Sequence, residues 1–210
     1  MTHRVLRSIL ALSLAGVPLV GCKAQPKEAE PGSQLTELGQ RTQEAERLAG
    51  LAQKAMNAGH ADKAIDLYRQ SIEYSAEFPD VWNNLGLLLL EKGDLQKAMS
   101  SFSMAAELDP TDPRAFYNMG VTHMRAQWAE DAIDDFRKAL AITPSYLPAL
   151  RGAIQAADML GRAENEDLEF VKRALLTETD EQWRAYFERQ RYLIDSRIKS
   201  SHRFDVPSGD

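Results

Sequence analysis

The chain has a single cysteine in 210 residues. An internal disulfide framework is therefore excluded, as is any zinc site built on several thiolates. Histidine is nearly as scarce, and His3, His60, His123 and His202 show no HxxxH or HxxH spacing. Positive charge is in deficit: 25 Lys and Arg face 31 Asp and Glu, a formal charge of −6. A nucleic-acid surface needs a clustered basic face to replace counterions on phosphates, so nucleic acid is not an expected partner. No GxSxG, P-loop, GxGxxG or HExxH motif occurs, and no residue is assigned a catalytic, metal-binding or cofactor-binding role or a small-molecule substrate. Long apolar runs are missing too. The most apolar stretch, SILALSLAGVPLV, is too short to cross a hydrocarbon core of ~30 Å as a helix. What is present, 44% hydrophobic and 27% charged residues, suits one globular domain with appendages.

That apolar stretch follows MTHRVLR, which has two arginines and no acid. A basic start, a short apolar centre and a small-residue end make a secretory signal peptide, here residues 1–21. A lone cysteine can be a nucleophile, a buried thiol, a reactive thiol or an attachment point. Leu19-Val20-Gly21-Cys22 resembles the bacterial lipobox, in which cleavage precedes a cysteine acylated on sulfur. The plainer alternative is a signal peptide with a chance cysteine near its end. The resemblance implies a chain starting at Cys22 and held to one membrane leaflet by two or three acyl chains, anchored without spanning. It implies a bacterial envelope location. Lys23 stands where some bacteria place an acidic inner-membrane retention residue, which points to the outer membrane, facing the periplasm. Residues 22–40, with Pro26, Pro31, Gly32 and several charges, read as a flexible tether.

Beyond the tether the chain repeats itself. Ala64, Ala98 and Ala132 are spaced by 34 residues. Tyr68, Phe102 and Phe136 follow each alanine by four, and Ser71, Ala105 and Ala139 by seven. Gly59, Gly93 and Gln127 precede them by five, and Gly161 continues the series. Leu48, Trp82 and Phe116 also align, as do Leu51, Leu85 and Met119. In the stretch 81–110, Trp82, Leu85, Gly86, Gly93, Ala98, Phe102, Ala105 and Pro110 resemble the tetratricopeptide repeat consensus. Each has a mechanical reason. Small residues let two antiparallel helices approach, aromatics fill the space left, glycine permits a left-handed turn, and proline ends a helix.

The expected fold is all-α, an α-solenoid of antiparallel helix pairs over 41–178. Repeats are expected at 45–78, 79–112 and 113–146, with a degenerate fourth at 147–178. Glu166 there replaces the usual alanine, which fits a terminal unit. Residues 179–200 read as a C-terminal capping helix, started by Thr179 and Gln182 as a capping box, with Trp183, Phe187, Ile194 and Ile198 on one face. Residues 201–210 read as a disordered tail.

The resemblance implies recognition of a protein or peptide partner in the concave groove lined by the first helix of each pair. Carried onto this sequence, the groove floor is Met56, Leu87, Leu90, Tyr117, Val121 and Met124. Gln53, Asn83, Asn84, Asn118, Arg114, Arg125 and Arg151 add amide and guanidinium groups. An apolar floor with such a rim suits a peptide or amphipathic helix, and methionines adapt to imperfect ligands. The family's chaperone-binding carboxylate clamp is not assembled, because Ala49 and Gln53, then Asn83 and Leu87, stand where it needs Lys and Asn.

Several residues have bland alternatives. Asn84 and Asn118 are consensus residues, Leu90 and Met124 can pack between repeats, and the C-terminal helix can itself fill the groove. His123 reads as core filler, and Asp131, Asp134 and Asp135 as a solvated outer face. Trp128, at the turn where glycine is usual, is either an exposed hot spot or packed inward. The functional expectation is a non-enzymatic, membrane-anchored interaction protein, a scaffold or assembly factor of the envelope. The alternatives are an envelope enzyme with its site in 147–200 and a cytoplasmic scaffold with an uncleaved N-terminus.

Overall fold

The computed structural model describes residues 31–204, with side chains from 35 to 200. The signal peptide, Cys22 and the last six residues lie outside that range. Nine helices and no strand occur among the described residues. They are α1 (Pro31–Asn57), α2 (Ala61–Tyr74), α3 (Pro79–Glu91), α4 (Leu95–Leu108), α5 (Pro113–Arg125), α6 (Ala129–Ile142), α7 (Leu147–Leu160), α8 (Asn165–Thr177) and α9 (Glu181–Phe204). The expected all-α solenoid is what the chain forms.

The pairs α1/α2, α3/α4, α5/α6 and α7/α8 pack as hairpins, each resting on the next through α2–α3, α4–α5 and α6–α7 contacts. α3 also touches α5, and α5 touches α7. First helices therefore form the inner, concave layer, and α4, α6 and α8 the outer one.

The repeated small and aromatic residues fit each other. A Cβ added at Gly86 would lie 2.5 Å from the ring of Phe102, and one at Gly120 2.6 Å from that of Phe136. Both rings are fully buried, each contributing about 2–3 kcal/mol of apolar burial. The missing Cβ is what lets second-helix rings sit flat against first-helix backbone.

The turns share one closing bond. In each, the residue after a left-handed residue donates its N–H to the carbonyl five back: His60 to Ala55, Asp94 to Leu89, Trp128 to His123 and Arg162 to Ala157, all at 2.9 Å. This is the Schellman closure. Glycine supplies the left-handed residue three times, at φ of 64° to 81° for Gly161, Gly59 and Gly93; Gln127 supplies it at 62°.

Helix starts are capped where the sequence allows it. Asp94 accepts from the N–H of Lys97, and Asp112 from that of Arg114, with Pro113 in the first turn.

Three expectations need correction at the ends. α1 begins at Pro31, so residues 31–40 are helical rather than part of a tether; proline is well tolerated in a first helical turn. α9 is capped by Asp180, whose carboxylate accepts from the N–H groups of Gln182 and Trp183 at 2.9 and 3.0 Å, and not by Thr179. α9 also continues to Phe204, taking in residues 201–204 of the expected tail.

Candidate functional site

The concave layer places the predicted residues in three groups. The first stays in the groove. Met56, Leu87, Tyr117, Val121 and Met124 are half-buried. Towards the C-terminal end, Tyr117, Val121, Met124, Arg125, Pro148, Arg151 and Gln155 line a concavity of about 530 Å³ that Trp183 of α9 closes on one side. A contiguous one of about 580 Å³ runs past Met124, Gln155 and Met159 to Trp183 and Tyr186. α9 thus walls the end of the groove while leaving it open. Its Phe187 and Ile194 are buried in the core shared with α7 and α8.

A second group is spent on bonds within and between repeats. Gln53 accepts hydrogen bonds from Tyr68 (3.1 Å) and Asn84 (3.0 Å) and donates to Asn57 (2.9 Å). Arg114 binds Asp112, the cap of its own helix, and Asp80 (2.7 Å) at the start of α3. Arg125 donates to the carbonyl of Leu90 at 2.7 Å, which also accepts from the N–H of Gly93 at the end of α3. Arg151 grips Glu178 through two 2.8 Å bonds, and its guanidinium lies 4.7 Å from the centre of the Trp183 ring.

The third group is not in the groove at all, and these expectations are corrected. Leu90 is 4% exposed and packs in the core of the first two repeats. Asn83 and Asn118 are buried, and Asn118 donates to Asn83 at 2.8 Å. A buried amide without a partner costs about 1–3 kcal/mol, so the two asparagines satisfy each other across the repeat boundary and offer nothing to a ligand.

Charge at the C-terminal end is organised by burial. Desolvation pushes the buried Glu178 carboxyl up, but the N–H groups of Thr179 and Asp180 (3.0 Å each) and the Arg151 guanidinium outweigh it and hold it below the ordinary 4.5. Burial, with Asp158 accepting its hydrogen bond at 3.1 Å, holds the Tyr186 hydroxyl protonated well above its ordinary range. Burial also raises Tyr117 and Tyr146, whose rings meet edge to face at 5.7 Å.

One reading of the outer face changes, and one open alternative closes. Asp135 is buried, not solvated. It binds His123 Nδ1 at 2.8 Å through one oxygen and the Lys138 ammonium at 2.8 Å through the other. His123, read as core filler, fills the layer between α5 and α6 as the polar partner of Asp135. Trp128 is exposed, at 60%, and stacks at 38° against His123 with ring centres 5.8 Å apart. Sequence reasoning missed the His123–Asp135 pair because its members lie twelve residues apart on two helices; only the polar residue at a normally apolar repeat position signals it.

No helix among the described residues is long and apolar enough to cross a membrane. They contain no cluster of three His, Cys, Asp or Glu able to hold a metal ion.

Tetratricopeptide repeat family models match residues 50–113 and 113–146. Among curated proteins, the chain is 31% identical over 83 residues to the cell division cycle protein 27 homolog of Caenorhabditis elegans, covering 40% of this chain and 10% of that protein. It is 27% identical over 115 residues to the peroxisomal targeting signal receptor of Eremothecium gossypii, covering 55% and 19%. The chain thus spans a tenth to a fifth of the length of these relatives. Among solved structures, MamA superposes with a TM-score of 0.59 at 21% identity, covering 62% of this chain and 76% of MamA. The first repeat domain of Spaghetti (RPAP3), bound to an HSP90 peptide, superposes at 0.55 with 22% identity, covering 57% and 95%. These structural likenesses establish the fold.

Proposed function

Residues 50–146 of this chain belong to the tetratricopeptide repeat family, and from that premise we propose that the protein holds a protein or peptide partner in its concave groove, at a bacterial envelope membrane. The repeats mark it as a protein–protein interaction module. The observation that carries the groove is the row of half-exposed Leu87, Tyr117, Val121 and Met124 on adjacent inner helices, ending at the Trp183 wall. Contiguous apolar surface of this kind on a folded body is characteristic of partner sites. The cavity's shape and its methionine suit one or two turns of an amphipathic helix. The HSP90 peptide on the RPAP3 domain shows that a relative of the same fold accepts a peptide, which supports the reading.

The membrane part rests on Leu19–Cys22 and the basic and apolar residues before it. In this reading Cys22 carries the acyl chains, and the body stands off the outer membrane on the periplasmic side through residues 23–30. It works without catalysis, as a scaffold or assembly factor. Residues 147–200, where an enzyme site is the alternative, carry Arg151–Glu178 and Arg162–Asp167 pairs that tie α7 to α8, a structural use of the charges there.

A photo-crosslinking side chain placed at Leu87 or Val121 in living cells tests the groove against an outer-face control at Glu107. Specific adducts from the groove positions and none from Glu107 are expected. Adducts of equal pattern from all three would remove the groove from the proposal.

A further inference from the structure

The two concavities at the C-terminal end of the groove differ in charge. The one of about 530 Å³ has two guanidinium groups in its wall, Arg125 and Arg151, and no carboxylate. Arg151 is neutralised by Glu178 and stacked on Trp183. Arg125 is exposed and forms no ion pair among the described residues. Glu91, next in the chain to the Leu90 carbonyl that Arg125 holds, is not paired with it. That carbonyl takes one N–H, and a guanidinium carries five.

The adjoining concavity of about 580 Å³ has the opposite sign, because the charged residue in its wall is Asp158. Asp158 is exposed and in no ion pair among the described residues. One of its oxygens accepts from the Tyr186 hydroxyl, and the other accepts no bond from a described residue. The two concavities share Met124, Gln155 and Trp183. The apolar wall is therefore continuous while the charge along it changes from Arg125 on α5 to Asp158 on α7. Packed helix axes lie ~8–10 Å apart, a span that about two turns of a bound helix cover.

We propose that this end of the groove takes a helical segment of a partner protein that has an acidic residue on one side of its apolar anchor and a basic residue on the other. The acid pairs with Arg125, the anchor lies between Val121, Met124 and Trp183, and the base pairs with Asp158. Resting on the groove as the binding surface, this adds a direction to it. A segment laid the other way sets its acid against Asp158 and its base against Arg125, and such like-charge contacts reject wrong registers. A free C-terminal carboxylate is a poorer occupant, since it meets Arg125 and leaves Asp158 unmatched. A uniformly acidic segment is repelled by Asp158.

The test uses four acetylated and amidated helical peptides that share a leucine anchor. They differ at the positions one turn before and one turn after it, as Glu/Lys, Glu/Gln, Gln/Lys and Gln/Gln. Binding to the full chain is followed at the Trp183 indole N–H in ¹H–¹⁵N spectra, assigned with Trp183→Phe. The Glu/Lys peptide is expected to bind about threefold more tightly than Gln/Gln, with the gap closing as salt rises. Arg125→Gln is expected to remove the advantage of Glu/Gln over Gln/Gln and to keep that of Gln/Lys, and Asp158→Asn to do the reverse. Far-UV spectra check that both variants are folded. Equal affinity for all four peptides overturns the charge selection and leaves the groove standing, and so does an advantage that neither variant removes. No saturable shift with any peptide overturns the groove as well.

Discussion

At the scale of the residue, the repeat works by subtraction. The atoms missing at Gly86 and Gly120 are as specific as the rings that fill their place. Gly86→Ala sets a Cβ 2.5 Å from the Phe102 ring, which is fully buried and has little room to relax. Loss of about 1–3 kcal/mol is expected, read as a lower urea midpoint with unchanged slope. The opposite change is available at the third turn. Gln127→Gly relieves the left-handed strain at the cost of a more flexible unfolded chain. A net gain of roughly 0.5 kcal/mol is expected in the same measurement. Asp135→Ala leaves the part-buried His123 ring without its partner and removes buried side-chain volume beside it. A loss of about 1–3 kcal/mol is expected, large for a residue that reads as surface.

Residue types that repeat for packing reasons were legible: Ala98, Phe102 and Ala105 announce a helix face because each must fit its counterpart one repeat away. Residues that serve a single contact were not. Nothing at Asp135 alone reveals a histidine twelve positions back, and Asn83 and Asn118 look like groove lining until both are seen buried. Leu90 fell on the wrong side because a run of four leucines, 87 to 90, covers nearly every direction around a helix and does not say which one faces out.

At the scale of the element, the C-terminal helix is held by charge as much as by its apolar face. Glu178 ends α8, caps the approach to α9 through the N–H groups of Thr179 and Asp180, and fixes Arg151 against Trp183. Its folded-state pKa is depressed. The stability it contributes is therefore fully present above the unfolded value of 4.5 and disappears as pH falls through the lower folded value. Glu178→Gln is expected to lower stability at pH 7 and to flatten the wild-type decline below about pH 4.5, measured as urea midpoints from pH 7 to pH 3.

The same scale shows why the ends of the helices were harder to read than their middles. Pro31, Gly32 and the charges after them have the composition of a loop. The exposed Leu35 and Leu38 give α1 no buried partner there that a hydrophobic pattern could reveal. At α9 two adjacent residues, Thr179 and Asp180, both have the chemistry of a cap, and backbone geometry alone selects Asp180.

At the scale of the whole molecule, the proposed anchor makes a separable prediction. Cys22→Ser is expected to move the protein from the membrane fraction to the soluble one and to remove the mass of the acyl chains, while the helical spectrum stays unchanged. A variant that stays with the membrane at unchanged mass contradicts the anchor without touching the groove. Leu87→Glu with Val121→Glu should do the reverse, keeping membrane association and losing the partner.

The bonds that join neighbouring repeats have a mechanical consequence. Asn84 to Gln53, Asn118 to Asn83, Arg114 to Asp80 and Arg125 to the Leu90 carbonyl each bridge about one repeat length, 31 to 35 residues. All four have both ends on inner helices. Straightening the superhelix would lengthen that side first, so these bonds act as short tension ties on the inside of a bent beam. The curvature is built in before any partner arrives, and a bound peptide need not spend its affinity on bending the array.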